Sequence, residues 1–136
     1  MKRFIYIPFL LLTINVFAEI IPASDSRITY VGRTMVEGED VSFDWTAVYF
    51  RIAFSGKSLA MRVSDTKWDA TSEMAATRHN YFNVWIDAPM SDTPHRIIEV
   101  ASQDTVIELI DPAYLKHSKQ KTHIVIVQKR TEGEQG

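Results

Sequence analysis

Between positions 48 and 54 the chain alternates with a period of two. Val48, Phe50, Ile52 and Phe54 face one way, and Tyr49, Arg51 and Ala53 the other. Successive side chains of an extended backbone point to opposite faces, so this pattern predicts a β-strand with one buried side. The same period recurs at 41–45, 59–63 and 81–87. In 81–87, Phe82, Val84 and Ile86 share one face while Tyr81, Asn83 and Trp85 share the other. Segments 27–31, 96–101 and 105–111 are weaker versions. Segment 122–129 is apolar on both faces and predicts a central strand. Turn residues close these runs: Gly32, Ser55-Gly56-Lys57, Ala88-Pro89, Thr93-Pro94 and Ser102-Gln103-Asp104. No stretch carries a sustained helical period, although Pro112-Ala113-Tyr114-Leu115 suits a single helical turn. Eight short strands at this spacing predict an all-β fold of two packed antiparallel sheets, a β-sandwich.

The first eighteen residues read differently. Lys2 and Arg3 precede an apolar run to Val16, and Val16-Phe17-Ala18 ends it with small residues where a signal peptidase cuts. This is the pattern of an export signal over 1–18, and the run is shorter than a membrane-spanning helix requires. The expectation is a secreted or periplasmic protein whose mature part is a single domain over 19–136. It carries no membrane segment after cleavage. The full chain has a formal charge of −2 and no basic run. It is therefore no candidate for nucleic acid. It also has no cysteine, so a disulfide scaffold, a thiol nucleophile and a cysteine metal site are excluded. Stability must come from one hydrophobic core.

Candidate chemistry is sparse. The four histidines and the scattered serines show no Gly-x-Ser-x-Gly elbow, and no catalytic residue is assigned. His117 and His123 lack a zinc spacing, and His123 reads as a satisfied edge or core histidine. Asp104, Glu108 and Asp111 read as solvated or capping acids rather than calcium ligands. No metal and no cofactor is predicted. Arg33 and the Lys129-Arg130 pair read as structural partners for acids such as Glu132 or Asp87. The aromatic residues are more informative. A pyranose presents C–H groups to a flat ring, so exposed aromatics are candidate sugar contacts. Trp68 lies in the long polar stretch 65–78, and Tyr81 and Trp85 share the face opposite the expected core. These three are the carbohydrate-contact candidates. The competing reading makes Trp45 and Trp85 core residues, because aromatics supply much of a small domain's burial.

Several short pieces, in order, resemble one family. They are Tyr30-Val31-Gly32-Arg33, the Phe50–Phe54 strand with Ser55-Gly56-Lys57-Ser58-Leu59, the Val84-Trp85-Ile86-Asp87 strand end, and His123 through Lys129-Arg130-Thr131-Glu132. Together they resemble the N-terminal β-sandwich of carbohydrate esterase family 2, the acetyl-xylan-esterase-like deacetylases. The resemblance implies a jelly-roll-like sandwich. It also implies that a further strand and an SGNH-type catalytic domain follow, so that 19–136 is a domain cut before its enzyme. The Gly-Asp-Ser motif of that catalytic domain does not occur here. The implied function is a non-catalytic accessory domain of a secreted polysaccharide deacetylase, with the SGNH-type domain, in cis or in trans, as partner. Plant polysaccharide is the implied substrate of the pair. The alternative is a stand-alone carbohydrate-binding β-sandwich module.

Overall fold

The structure, a computed structural model, describes residues 19–43, 46–64, 80–100 and 104–130. Residues 1–18, read as an export signal, lie outside the described residues, as do Trp45 and Trp68. Among the described residues no helix is long and apolar enough to cross a membrane.

In chain order the elements are β1 (Ile28–Val31), β2 (Met35–Glu37), β3 (Asp40–Ser42), β4 (Tyr49–Phe54), β5 (Ala60–Ser64), β6 (Asn80–Ile86), β7 (Arg96–Val100), β8 (Asp104–Glu108), α1 (Pro112–His117) and β9 (His123–Lys129). Five strands form an antiparallel sheet in the order β1-β4-β9-β6-β7. β9 therefore sits at the centre, as its apolar composition predicts, and is paired on both sides. Its inner face is His123, Val125, Val127 and Lys129, all at most 4% exposed.

The β5–β8 ribbon packs across the core from this sheet, and β2–β3 forms a separate hairpin. Met61, Val63 and Ile107 from β5 and β8 pack against the core, and Phe43, just past β3, meets Phe82 edge-on at 6.2 Å. The buried centre comprises Ile52, Phe82, Val84, Ile86, Ile98, Val100, Val125 and Val127 from the sheet, with Leu109 and Ile110 following β8. Burying each such aliphatic side chain contributes about 1.5–3 kcal/mol relative to exposure. The two-layer β-sandwich read from the alternation is thus present, with nine strands among the described residues.

Two boundaries differ from the sequence reading. β2 is an additional strand, paired with β3 across a turn that begins at Gly38, φ +65°. β8 stops at Glu108 instead of running to 111, because Leu109 and Ile110 are consecutive and both buried. An alternating strand cannot bury two neighbours on one face. Asp111 then caps α1, its carboxylate accepting from the Ala113 N–H at 2.9 Å with Pro112 in the first turn.

Gly32 closes β1 at φ +115°, and a Cβ there would lie 2.9 Å from Cγ2 of buried Val48. Gly32→Ala should therefore cost about 1–3 kcal/mol, from backbone strain and displacement of Val48. Urea denaturation checks this through a lower midpoint at unchanged slope.

Candidate functional site

The end of β6 gathers an unusual set of polar side chains. Asp87 follows Ile86 at φ +54°, a left-handed conformation that aspartate adopts more readily than most residues. Its N–H donates to the Ile124 carbonyl at 2.8 Å, and its Oδ1 accepts from the Ile124 N–H at 2.8 Å. The carboxylate thus replaces a backbone carbonyl in closing the β6–β9 ladder. Its Oδ2 accepts from His123 Nδ1 at 2.6 Å and from the Tyr114 hydroxyl at 3.1 Å. An ionised carboxylate only accepts, so Nδ1 of His123 carries a proton.

One aspartate therefore ties together β6, β9 and α1. Burial pushes the Asp87 carboxyl up, but the hydrogen bonds from His123, Ile124 and Tyr114 outweigh it and hold the group below its ordinary range. Burial, together with the neighbouring Asp87 charge, pushes the Tyr114 phenol up.

Tyr114 stands between two imidazoles, its ring 5.8 Å from that of His95 and 5.8 Å from that of His123, both roughly edge-on. His95 precedes β7, where its N–H donates to the Val84 carbonyl at 2.8 Å. Its Nδ1 accepts from the Ile86 N–H at 3.4 Å, which leaves the ring proton on Nε2. Beside this stack opens a cleft of about 510 Å³, lined by Ile86, His95, Arg96, Glu108, Asp111 and Tyr114. The Arg96 guanidinium donates across it to the Glu108 carbonyl. A second hollow of about 450 Å³ adjoins it, lined by Asp111, Ala113, Tyr114, His117 and Ser118.

An Asp–His pair is the orienting half of a hydrolytic triad. Here it is positioned for structure instead. His123 is 2% exposed, so its imidazole sits in the interior and presents no accessible base. His123 is the satisfied core histidine that the sequence suggested. Among the described residues no group of three or more metal-ligating side chains converges. Asp104 is engaged by Arg62, at 3.0 and 2.5 Å, and Asp111 by its helix cap.

Two of the three sugar-contact candidates fall among the described residues, both on β6. Trp68 lies outside the described residues. Tyr81 is half-buried on the outer face of β6, its hydroxyl 3.4 Å from Glu99 Oε1. Trp85 takes the core position of the competing reading. It is 3% exposed, and its indole N–H donates to the Asp92 carbonyl at 2.9 Å. The segment between β6 and β7 returns over the strand and closes this face. Asp87, read from sequence as a partner for arginine or lysine, instead serves His123, Tyr114 and Ile124. The signal available was the lone aspartate ending an apolar strand; its partners lie 27 and 36 residues away, beyond any local pattern.

The family described as carbohydrate esterase 2 N-terminal matches residues 30–136. No curated protein matches the chain. Two solved structures share the fold. One is a family two carbohydrate esterase from Cellvibrio japonicus, with a TM-score of 0.61 and 22% identity, covering 84% of this chain and 29% of that one. The other is a family two carbohydrate esterase from Clostridium thermocellum in complex with cellohexaose, with a TM-score of 0.59 and 17% identity, covering 80% of this chain and 28% of that one. The chain spans under a third of the length of either enzyme.

Proposed function

The chain belongs to the carbohydrate esterase 2 N-terminal family, and from that premise we propose that it is the non-catalytic accessory domain of a secreted carbohydrate esterase of the acetyl-xylan-deacetylase type. The observation that carries this reading is the family match over residues 30–136, within a fold that accounts for only 28–29% of two full family-two enzymes. On this reading the hydrolytic chemistry belongs to an SGNH-type domain against which the sandwich packs. The sandwich supplies a rigid wall beside the polysaccharide cleft. Export through the segment 1–18 would place both where polysaccharide is met.

The stand-alone binding reading loses support at Trp85, whose ring lies inside the protein. Packing between two domains stabilises both, because each binds only the folded form of the other. Joined to the SGNH-type domain of a family-two esterase, the chain should therefore melt in one transition, above the temperature of either part alone. Calorimetry is the measurement. Two independent transitions at the temperatures of the separate parts would remove the packing role.

A further inference from the structure

We propose that the outer face of the five-stranded sheet is the surface on which the SGNH-type domain packs, and that this domain meets Arg51 with a carboxylate set among apolar side chains. Naming the surface rests on the domain-packing reading above, which leaves the face unassigned. The outer face of an antiparallel sheet that meets water is ordinarily polar. Here the register puts Val31, Tyr49, Ala53, Ile124, Ile126 and Ile97 on the side away from the core, spread over β1, β4, β9 and β7. Val31 and Ile97, at the two margins, are 44% and 56% exposed, and Ala53 is exposed between them. The segment between β6 and β7 reaches this face at Trp85, through the Asp92 carbonyl. A broad apolar surface of this kind marks an interaction site.

Charge says what this face meets. Arg51 lies opposite Ile126 in the middle of it. It is exposed, and among the described residues no acceptor engages its guanidinium. The carboxylate that these strands place on the same face is Glu99, on β7 beside Tyr81. β7 is three strands from β4, about 14 Å at the usual strand spacing. An arginine among aliphatic and aromatic side chains, with no lysine and one marginal acid, has the composition of an interface centre. A carboxylate on the partner would accept from its guanidinium through two parallel hydrogen bonds.

Size selects the kind of partner. Five strands about 4.8 Å apart and roughly five residues long give a face of about 24 by 17 Å, which buries on the order of 1,000 Å² when both partners are counted. Freely associating partners need about 1,600 Å². Domains of one chain pack through about 600–1,500 Å², because their linkage supplies a high effective concentration. A second copy of this chain would also set Arg51 against a face carrying the same guanidinium. A linked domain fits both size and charge, and the two solved enzymes, of which this fold makes up 28–29%, have chain enough for one.

The test uses the chain joined to the SGNH-type domain, as in the calorimetry above. The double variant Arg51→Glu, Ile97→Lys should split the single transition into two, at the temperatures of the separate parts. It should leave the melting of the chain alone nearly unchanged, since both side chains are exposed. Val106→Lys is the control. Val106 is 68% exposed on the far side of the β5–β8 ribbon, and its variant should keep one transition. Methyl NMR of the unmutated joined and separate proteins reads the same surface without a variant. Ile97, Ile124 and Ile126 should shift on joining, and Val106 should not. A double variant that folds and still melts in one transition would overturn the proposed face while leaving the packing reading standing. So would separation by Val106→Lys instead, or shifts at Val106 with none at the three isoleucines. Two transitions in the unmutated joined protein would overturn both.

Discussion

Trp85→Ala is expected to lower the stability of the sandwich by about 3–5 kcal/mol, the range for removing a buried aromatic ring. The ring is 3% exposed, on the outer face of β6 opposite Ile126 of β9, with its N–H on the Asp92 carbonyl. Its removal leaves a cavity and releases the segment between β6 and β7 from the sheet. A single domain has about 5–15 kcal/mol in total, so the variant loses a large share of its stability. Trp85→Phe keeps most of the apolar surface and loses the N–H donor with part of the ring volume, for a smaller loss of about 1–2 kcal/mol. Denaturant midpoints followed by circular dichroism separate the two. An alanine variant within about 0.5 kcal/mol of the parent, as surface changes usually are, would mean that the ring does not belong to the core.

Trp85 also shows where a period-two reading stops being informative. Alternation assigns each side chain to a face but does not say what covers that face. Phe82, Val84 and Ile86 were legible as core because the sandwich buries that side by construction. Trp85 was placed on the opposite face, with two readings, a sugar contact or a core residue, and what decides between them is the segment between β6 and β7, whose Asp92 carbonyl takes the indole N–H. β2 was illegible for a different reason. It has three residues, all exposed, and Met35 and Val36 stand 61% and 63% exposed. A strand with no buried face leaves no alternation to find. β9 was the most legible element, because it is paired on both sides and its outer face, with Ile124 and Ile126, is itself half-buried, so it is apolar almost throughout. The Asp87 cluster was illegible because antiparallel register alone brings Asp87 beside Ile124, and only the placement of α1 adds Tyr114. Yet its parts were visible singly: a histidine opening the last strand, an aspartate closing an earlier one, and a helical turn after Pro112.

Asp87→Ala is expected to cost about 3 kcal/mol and to act on three elements at once. It removes the acceptor for His123 Nδ1, the Tyr114 hydroxyl and the Ile124 N–H. Hydrogen bonds to a charged group contribute about 1.5–3 kcal/mol each, and a buried donor left without a partner costs about 1–3. These terms overlap, because the three donors share one carboxylate. Alanine is also disfavoured at φ +54°, whereas asparagine tolerates it. Asp87→Asn should therefore recover the backbone part of the loss, but not the charge, and its amide nitrogen would face donors. The pH dependence identifies the charge. The Asp87 carboxyl is held below its ordinary value of 3.8 in the folded protein. Its contribution is therefore fully present above that value and is lost as the pH falls through the lower, folded value. The stability difference between the parent and Asp87→Asn should be constant near neutrality and shrink in acid. Denaturant unfolding of both proteins from pH 7 to the acid limit of the fold measures it. Two curves that stay parallel throughout would show that the ionised carboxylate is not what holds β6, β9 and α1 together.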